Sequence, residues 1–567
     1  MARWAHPTRS SAAIFQLKAS GLRLARTVAQ IGRAPPRLGR PADRAVFAAV
    51  AGAIATPLWS GAAAERAFDE GKVHNLRRAA MSLDGLLIPA GATFSFWRQI
   101  GRPVRARGYV VGRMLREGCL VPSEGGGLCQ LSNDLYRAAL EAGCQVLERH
   151  PHSRIVPGSR AEAGADATVA WNYVDLRFSP DRDLLLGVKL TAESLQVSLH
   201  ARAAAPAPRR ADPKDVAPLA FARSCASCDE VDCFRHESGE VATGGHTAFV
   251  VDGAWPEFTR YVAGRRGEGD VIALPLDGRR WGRARYGWET AGFSEVIEAP
   301  LQAARRALAW RTTPVQGPAR RLAEVRTSAA IAAALAPRLG PKITDLAVSQ
   351  SLAPFLWRGG WLGGRTFRVL MSRLPIADLE ARLDAAFAAH PDRATLADYR
   401  AHAWLVESEA EALAAAEAVV TPHAEIAALF GARAVRLPWD APPAPAWTPG
   451  AGVIAFPGPT VARKGAYEVR EAARRLGLAV RPLGAQLEGQ GFWDGVRIAP
   501  PAGDWLAGVA AVVHPAVVEE APRRLLAALA AGVPVIATAA CGLDPHPGLT
   551  LIPPGDADAL TAALGRA

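Results

Sequence analysis

The chain has no apolar run long enough to cross a bilayer. Its most apolar stretch, Ala45 to Trp59, is too short and is broken by Gly52 and Pro57. Acids are nearly missing from the amino-terminal region, where Asp43 is the sole one before Glu65. That basic region also lacks the compact apolar core and cleavage site of a secretory signal. Cysteine is sparse, and seven residues with three of them clustered do not read as a disulfide framework. These absences set the expectation of a reducing, cytoplasmic location with peripheral contact at the inner membrane. No nucleic-acid motif accompanies the net charge of +12, so no nucleic-acid partner is expected. The diffuse arginines instead suit anionic nucleotides, lipid head groups or envelope polymers.

What is present begins with size. At 567 residues the chain exceeds one compact core, and two or three domains are expected. Residues 1–58 read as a basic tail containing an amphipathic segment around Ile14–Ile31. That segment is either a solvated helix or one that lies on an anionic membrane surface. The most informative stretch is Gly125-Gly126-Gly127-Leu128-Cys129-Gln130-Leu131 and its continuation to Tyr136. Leu128, Leu131, Leu135 and Ala139 recur at helical steps, and Gly143 offers a stop. This predicts a glycine loop running into a helix whose first turn carries Cys129. Free N–H groups and the helix dipole would favour a thiolate there. The same pattern also suits a tight turn followed by a small buried hydrophobe.

Around this stretch lie Lys72-Val73-His74-Asn75-Leu76, Ile88-Pro89-Ala90-Gly91, Phe94-Ser95-Phe96-Trp97 and Arg107-Gly108-Tyr109. Glu148-Arg149-His150-Pro151-His152-Ser153, Asp166-Ala167-Thr168-Val169 and Asn172-Tyr173-Val174-Asp175-Leu176 follow. Together they resemble the VanW family over about residues 60 to 200, and a VanW-like α+β domain is expected at 59–202. The resemblance names a domain rather than a reaction. The order of residue types suggests one: a cysteine at a helix start, then histidines, then an aspartate, is the order of papain-like hydrolases. In that reading Cys129 is the nucleophile, His150 or His152 the base, and Asp166 or Asp175 the orienting carboxylate. N–H groups of Gly127 or Gln130 would face an oxyanion. The opposing reading makes the histidines flank Pro151 in a turn and the domain a noncatalytic module that grips an envelope glycan.

A proline–alanine linker, Ala203 to Arg210, marks a boundary, and residues 203–244 read as a linker segment. It carries Cys225, Cys228, Cys233 and His236, a spacing that suits structural zinc or, through the sulfurs, an iron–sulfur cluster. From about residue 245, short apolar runs such as Ala248–Val251 and Val271–Leu274 alternate with alanine-rich helical stretches at 300–310 and 328–338. That alternation indicates parallel α/β sheets. A proline-rich hinge at 440–450 interrupts the pattern, which restarts at Gly452-Val453-Ile454-Ala455-Phe456. Two Rossmann-like domains, 245–440 and 451–567, are expected.

This half resembles a glycosyltransferase of the GT-B fold, on Ala418–His423, Gly458–Gly465, His514–Glu519 and Leu526–Ala537. The resemblance implies a nucleotide-sugar donor, held by the Gly458 loop and Lys464 through its diphosphate and by Glu519 through hydroxyls. Arg463 would assist, and the Cys541-Gly542 loop would close over the donor. Backbone N–H groups and a lysine supply that charge support without a metal. Two departures weaken it: Ala527 stands where such enzymes usually have a second glutamate, and Pro459 stands where an arginine is common. The whole reads as a VanW-like domain fused to a glycosyltransferase acting on an envelope glycan or lipid-linked acceptor. The alternatives are a scaffold that binds such intermediates without reacting and a thiol enzyme centred on Cys129.

Overall fold

A computed structural model describes residues 8–61, 66–116, 119–152, 166–204, 223–224, 233–234, 244–314, 317–398 and 400–566. The chain packs into two compact units. One comprises Met1–Thr247 with Ala336–Leu346 and Gly359–Thr366; the other comprises Ala248–Leu335, Ala347–Arg358 and Phe367–Ala567.

The first unit is α+β. Its main sheet is antiparallel, with Ala49–Pro57 beside Ser194–Ala201, then Leu184–Leu190, then Leu87–Ile88. The apolar run noted in the sequence is thus an edge strand. Ile54 and Thr56 are buried while their neighbours are exposed, as a one-faced strand requires. A hairpin of Val111–Arg116 and Cys119–Glu124 and a small sheet of Phe94–Ser95, Arg177–Ser179 and Gln145–Glu148 complete it. Helix Leu128–Glu141 lies on the Ala49–Pro57 and Ser194–Ala201 strands. Leu128, Leu131, Leu135 and Ala139 all enter the core, as their spacing predicts. Gly143, at φ 76°, follows the helix end.

Helix Arg9–Ala29 in this unit runs against the usual pattern. Its packed side mixes the buried Ala19 with polar ties: Arg26 makes two hydrogen bonds to Glu148, at 2.7 and 2.6 Å, and Arg23 donates to Trp171 O. Ile14, Leu17, Leu24, Val28 and, just past its end, Ile31 are more than half exposed. They recur at steps of three, seven, four and three residues, so they form one stripe.

The second unit contains two parallel sheets. Numbering strands as they leave the chain, the first sheet runs 3-2-1-4-5-6-7 from His246–Val250 to Ala434–Arg436. Its described pairings between strands 1 and 2, 2 and 3, 5 and 6, and 6 and 7 are parallel. The second sheet runs 3-2-1-4-5-6 from Val453–Phe456 to Leu549–Leu551, and all of its pairings are parallel. Both are doubly wound, Rossmann-like sheets, as the alternation and the GT-B resemblance imply. Buried central strands explain the near-continuous apolar runs. Helices Pro300–Thr312 and Pro318–Leu335 account for the alanine-rich stretches. The segment 440–450 has no helix or strand. Among the described helices, none is long and apolar enough to cross a membrane.

Candidate functional sites

In an open doubly wound sheet, a crevice opens where strand order reverses, at the carboxyl ends of the two strands that diverge there. In the second sheet those are strands 1 and 4, Val453–Phe456 and Ala511–His514. The chain leaving strand 1 carries Gly458 and Lys464, and the chain leaving strand 4 carries Glu519. All three meet. Lys464 Nζ donates to Glu519 Oε2 at 2.9 Å and to Val518 O at 2.8 Å. His514 Nε2 donates to the same carboxylate oxygen at 2.6 Å. Glu519 Oε1 accepts from the N–H groups of Glu520 and Ala521. Burial opposes ionisation of Glu519, but Lys464, His514 and these N–H groups outweigh it. The carboxyl is held well below its ordinary range.

The loop between Gly458 and Lys464 requires glycine at its start and at the neighbouring Gly484. A Cβ on Gly458 would sit 2.6 Å from His514 Cε1, and one on Gly484 would sit 2.3 Å from Gly458 O. Gly465, at φ 82°, turns the chain into helix Ala466–Leu476. Two buried polar atoms around this loop, Thr460 Oγ1 and His514 Nδ1, have no hydrogen-bond partner in the protein. Buried polar groups are usually paired, so two orphans beside one loop are unusual. Lys464 has three N–H donors and the two bonds named here leave a third for an oxyanion.

His423, just past Ala418–Thr421, strand 6 of the first sheet, reaches the same segment. Its Nε2 donates to Glu519 O at 3.1 Å and Ala540 O at 3.2 Å, and burial pulls its pKa down. The Cys541-Gly542 loop packs here too: a Cβ on Gly542 would strike the His423 ring. Cys541 is buried and its thiol is pushed up to about 12 by that burial. Ala527 is buried in helix Arg523–Ala530, so no second carboxylate stands at that position. Arg463 is partly buried, and burial lowers its pKa. The switch point of the first sheet is filled differently. Asp252, after strand 1, accepts from Arg306 Nη1 at 2.5 Å and from Ser351 Oγ at 3.0 Å. That ion pair is sealed inside the protein and reads as structural.

In the first unit, Cys129 sits in the first turn of helix Leu128–Glu141, after Gly127 at φ 99°. The glycine loop is clamped: Asn75 Nδ2 donates to Gly126 O, and a Cβ on Gly127 would lie 2.3 Å from Lys72 Cγ. Of the two candidate histidines, His152 is the one close enough to Cys129 for each side chain to shift the other's pKa. His152 Nδ1 lies 2.6 Å from Asp166 Oδ1, and His152 N donates to Asp166 Oδ2 at 2.5 Å. Burial disfavours the imidazolium, yet Asp166 and Cys129 raise its pKa to about 10. The thiol is lowered: burial opposes the thiolate, and His152, Val169 and Thr168 more than offset it. Cys129 Sγ is 3.5 Å from Thr168 Oγ1 and 3.7 Å from Val169 O.

His150 is elsewhere, half exposed and 3.4 Å from Glu148. Asp175 is also elsewhere: it accepts from Ser95 Oγ, Trp97 N and Arg177 Nε. The Gln130 side chain is spent on Thr56 Oγ1 and Pro57 O, and its backbone N–H on Gly127 O. This leaves the N–H groups of Leu128 and Cys129, which have no intrahelical acceptor, to face an oxyanion.

Cys225, Cys228 and His236 of the proposed metal cluster lie outside the described residues, and Cys233 is partly buried. No group of three or more metal-ligating side chains occurs among the described residues.

Sequence reasoning placed His514, His423, Thr460 and Thr168 within its motifs but gave none of them a role. A histidine closing an otherwise apolar buried strand was the available signal for His514.

Residues 71–200 match the family described as "VanW like protein", and residues 471–567 match "Glycosyl transferases group 1". The first span contains Cys129, His152 and Asp166; the second contains His514 and Glu519 and begins just after Lys464. "Vancomycin B-type resistance protein VanW" of Enterococcus faecalis (strain ATCC 700802 / V583) is 34% identical over 135 residues, 23% of this chain and 48% of that protein. "Uncharacterized protein YoaR" of Bacillus subtilis (strain 168) is 32% identical over 134 residues, 23% of this chain and 44% of that protein. The chain thus spans about half the length of these curated relatives. Among solved structures, the "lipopolysaccharide outer core galactosyltransferase WaaB apo form" is similar at 13% identity. It covers 57% of this chain and 89% of that one, with a TM-score of 0.32. The chain therefore joins a VanW-like domain at residues 71–200 to a glycosyltransferase-like module whose carboxy-terminal segment matches the group 1 model.

Proposed function

We propose that the chain transfers a sugar from a nucleotide-sugar donor to a cell-envelope glycan or lipid-linked acceptor. The observation that carries this reading is the convergence of Lys464, His514 and Glu519 at the switch point of the second sheet. A diphosphate lying against the Gly458 loop would take the remaining Lys464 N–H and the N–H groups at the start of helix Ala466–Leu476. Those contacts strengthen as charge develops on the leaving group. Glu519, fixed and ionised, would accept hydroxyl hydrogens of the donor. Thr460 Oγ1 and His514 Nδ1 would gain the partners they lack.

Helix Arg9–Ala29 supports peripheral membrane contact. It shows solvent an apolar stripe and carries no acid, and its exposed Arg9 and Lys18 are joined beyond its end by Arg33 and Arg37. That combination suits an anionic lipid surface.

The test is release of nucleoside diphosphate from a panel of nucleotide sugars, with envelope lipid extract as acceptor. Turnover should be lost in both Lys464→Ala and Glu519→Ala. A donor that binds wild-type protein yet never turns over would favour the scaffold reading, to which Ala527 in place of a second carboxylate lends support.

A further inference from the structure

The geometry points to a second active site, in the VanW-like domain, where Cys129, His152 and Asp166 form a thiol centre for acyl transfer on amide or ester carbonyls. Three independent features of the fold build it. A helix start presents the sulfur beside N–H groups that have no intrahelical acceptor. The imidazole of His152 is gripped at Nδ1 by Asp166 at 2.6 Å, which directs its other nitrogen to the sulfur. Asp166 is itself held: its backbone carbonyl accepts from Arg149 Nε at 2.6 Å, and the next N–H, of Ala167, donates to Asn133 Oδ1 at 2.7 Å. Asn133 lies one turn along the helix from Cys129, so a single helix positions both the nucleophile and the segment that carries the carboxylate.

A structural cysteine has no use for this arrangement. Cys144 in the same unit shows the contrast: it is buried, and its thiol is pushed up to about 12. Cys129 is instead only partly buried, and His152, Val169 and Thr168 favour its thiolate.

The reaction balances without any outside oxidant or metal. The Cys129 thiolate attacks the carbonyl carbon, forming a C–S bond, and the oxyanion faces the N–H groups of Leu128 and Cys129. Protonated His152 gives its proton to the leaving amine or alcohol as the C–N or C–O bond breaks, leaving a thioester and neutral imidazole. Water, or an acceptor amine or hydroxyl, then attacks while His152 takes its proton. The C–S bond breaks, and thiolate and imidazolium are restored. Cys129 and His152 are the catalytic residues; Asp166 is a positioning residue.

This inference is independent of the sugar-transfer reading, since it concerns residues of the other unit. The experiment is alkylation of the full chain by iodoacetamide between pH 5 and 9, with peptide mass spectrometry to read each cysteine. Cys129 should react at a rate nearly flat from pH 6 to 9, whereas Cys144 should stay unmodified. His152→Gln should cut the Cys129 rate at pH 6 roughly 100-fold and restore the slope of an ordinary thiol. Asp166→Asn should shift the midpoint upward by a smaller amount at unchanged maximal rate, which a merely structural role would not do. p-Nitrophenyl acetate should then give a burst of one nitrophenolate per chain and an acetyl group on Cys129, both absent in Cys129→Ser. A Cys129 rate that rises tenfold per pH unit in folded wild-type protein would overturn the proposal. So would a burst that survives in Cys129→Ser. If His152→Gln fails to fold, the wild-type pH profile and the Cys129→Ser burst decide.

Discussion

Replacing Lys464 with methionine removes a charge while keeping most of the side chain's bulk, and the structure says what that costs. Lys464 and Glu519 are 2.9 Å apart with side-chain exposures of 14% and 13%. Gross attraction at that distance is about 6 kcal/mol for an effective dielectric constant near 20, most of it offset by the desolvation of both groups. Removing one partner of a buried pair usually costs about 3–5 kcal/mol because the other charge is stranded. Here His514 and two backbone N–H groups still hold Glu519. The expected cost of Lys464→Met is therefore about 2–3 kcal/mol. Adding Glu519→Gln should recover most of it, since the double variant strands no charge. The pH dependence follows from the depressed pKa of Glu519. Its stabilising contribution is fully present above the unfolded value, about 4.3, and is lost as pH falls through the folded value. Wild type should thus exceed Glu519→Gln by a constant margin from pH 7 to about 5, and by a shrinking one below pH 4. Hydrogen exchange of peptides spanning 453–467 and 511–521 in urea reads this region without the other unit. Equal stabilities of wild type, Lys464→Met and the double variant would refute the reasoning.

Arg306→Met should destabilise the first Rossmann-like domain by about 3–5 kcal/mol, because Asp252 would lose its buried partner; urea unfolding followed by exchange of residues 246–260 checks it. Gly126→Ala puts a Cβ 2.4 Å from the carbonyl carbon of Gly112, backbone against backbone, and should cost about 1–3 kcal/mol. The same change should slow Cys129 alkylation by shifting the helix start. The double variant Leu17→Asp/Leu24→Asp should leave melting unchanged while abolishing co-sedimentation with vesicles containing anionic phosphatidylglycerol. Retained sedimentation would remove the helix from the membrane account.

Local patterns were readable where one element decides the outcome. The 3–4 spacing after Gly127 gave the Cys129 helix and its buried side, and strand–helix alternation gave both parallel sheets. The choice between His150 and His152, or between Asp166 and Asp175, depends on which side chains meet across a fold. Residues 14 apart in the chain carry no periodic signal of that meeting. His514 stood at the head of a quoted segment, but its contact with Glu519 depends on how the loop after the strand folds back. The helix Arg9–Ala29 shows the converse limit. Its stripe was read as solvated or membrane-facing, but the ties of Arg23 and Arg26 to Trp171 and Glu148, more than a hundred residues away, carry no local signal.

The central claim is that the crevice around Lys464, His514 and Glu519 holds a nucleotide-sugar donor, and thermal stabilisation by a panel of such donors tests it most directly. A ligand bound only by the folded state must raise its stability, by about 2.7 kcal/mol at a hundredfold excess over Kd. The account predicts that one donor raises the melting temperature of wild-type protein and leaves Lys464→Ala unmoved. A well-folded wild-type protein that no donor stabilises, or a shift that persists undiminished in Lys464→Ala, would contradict it.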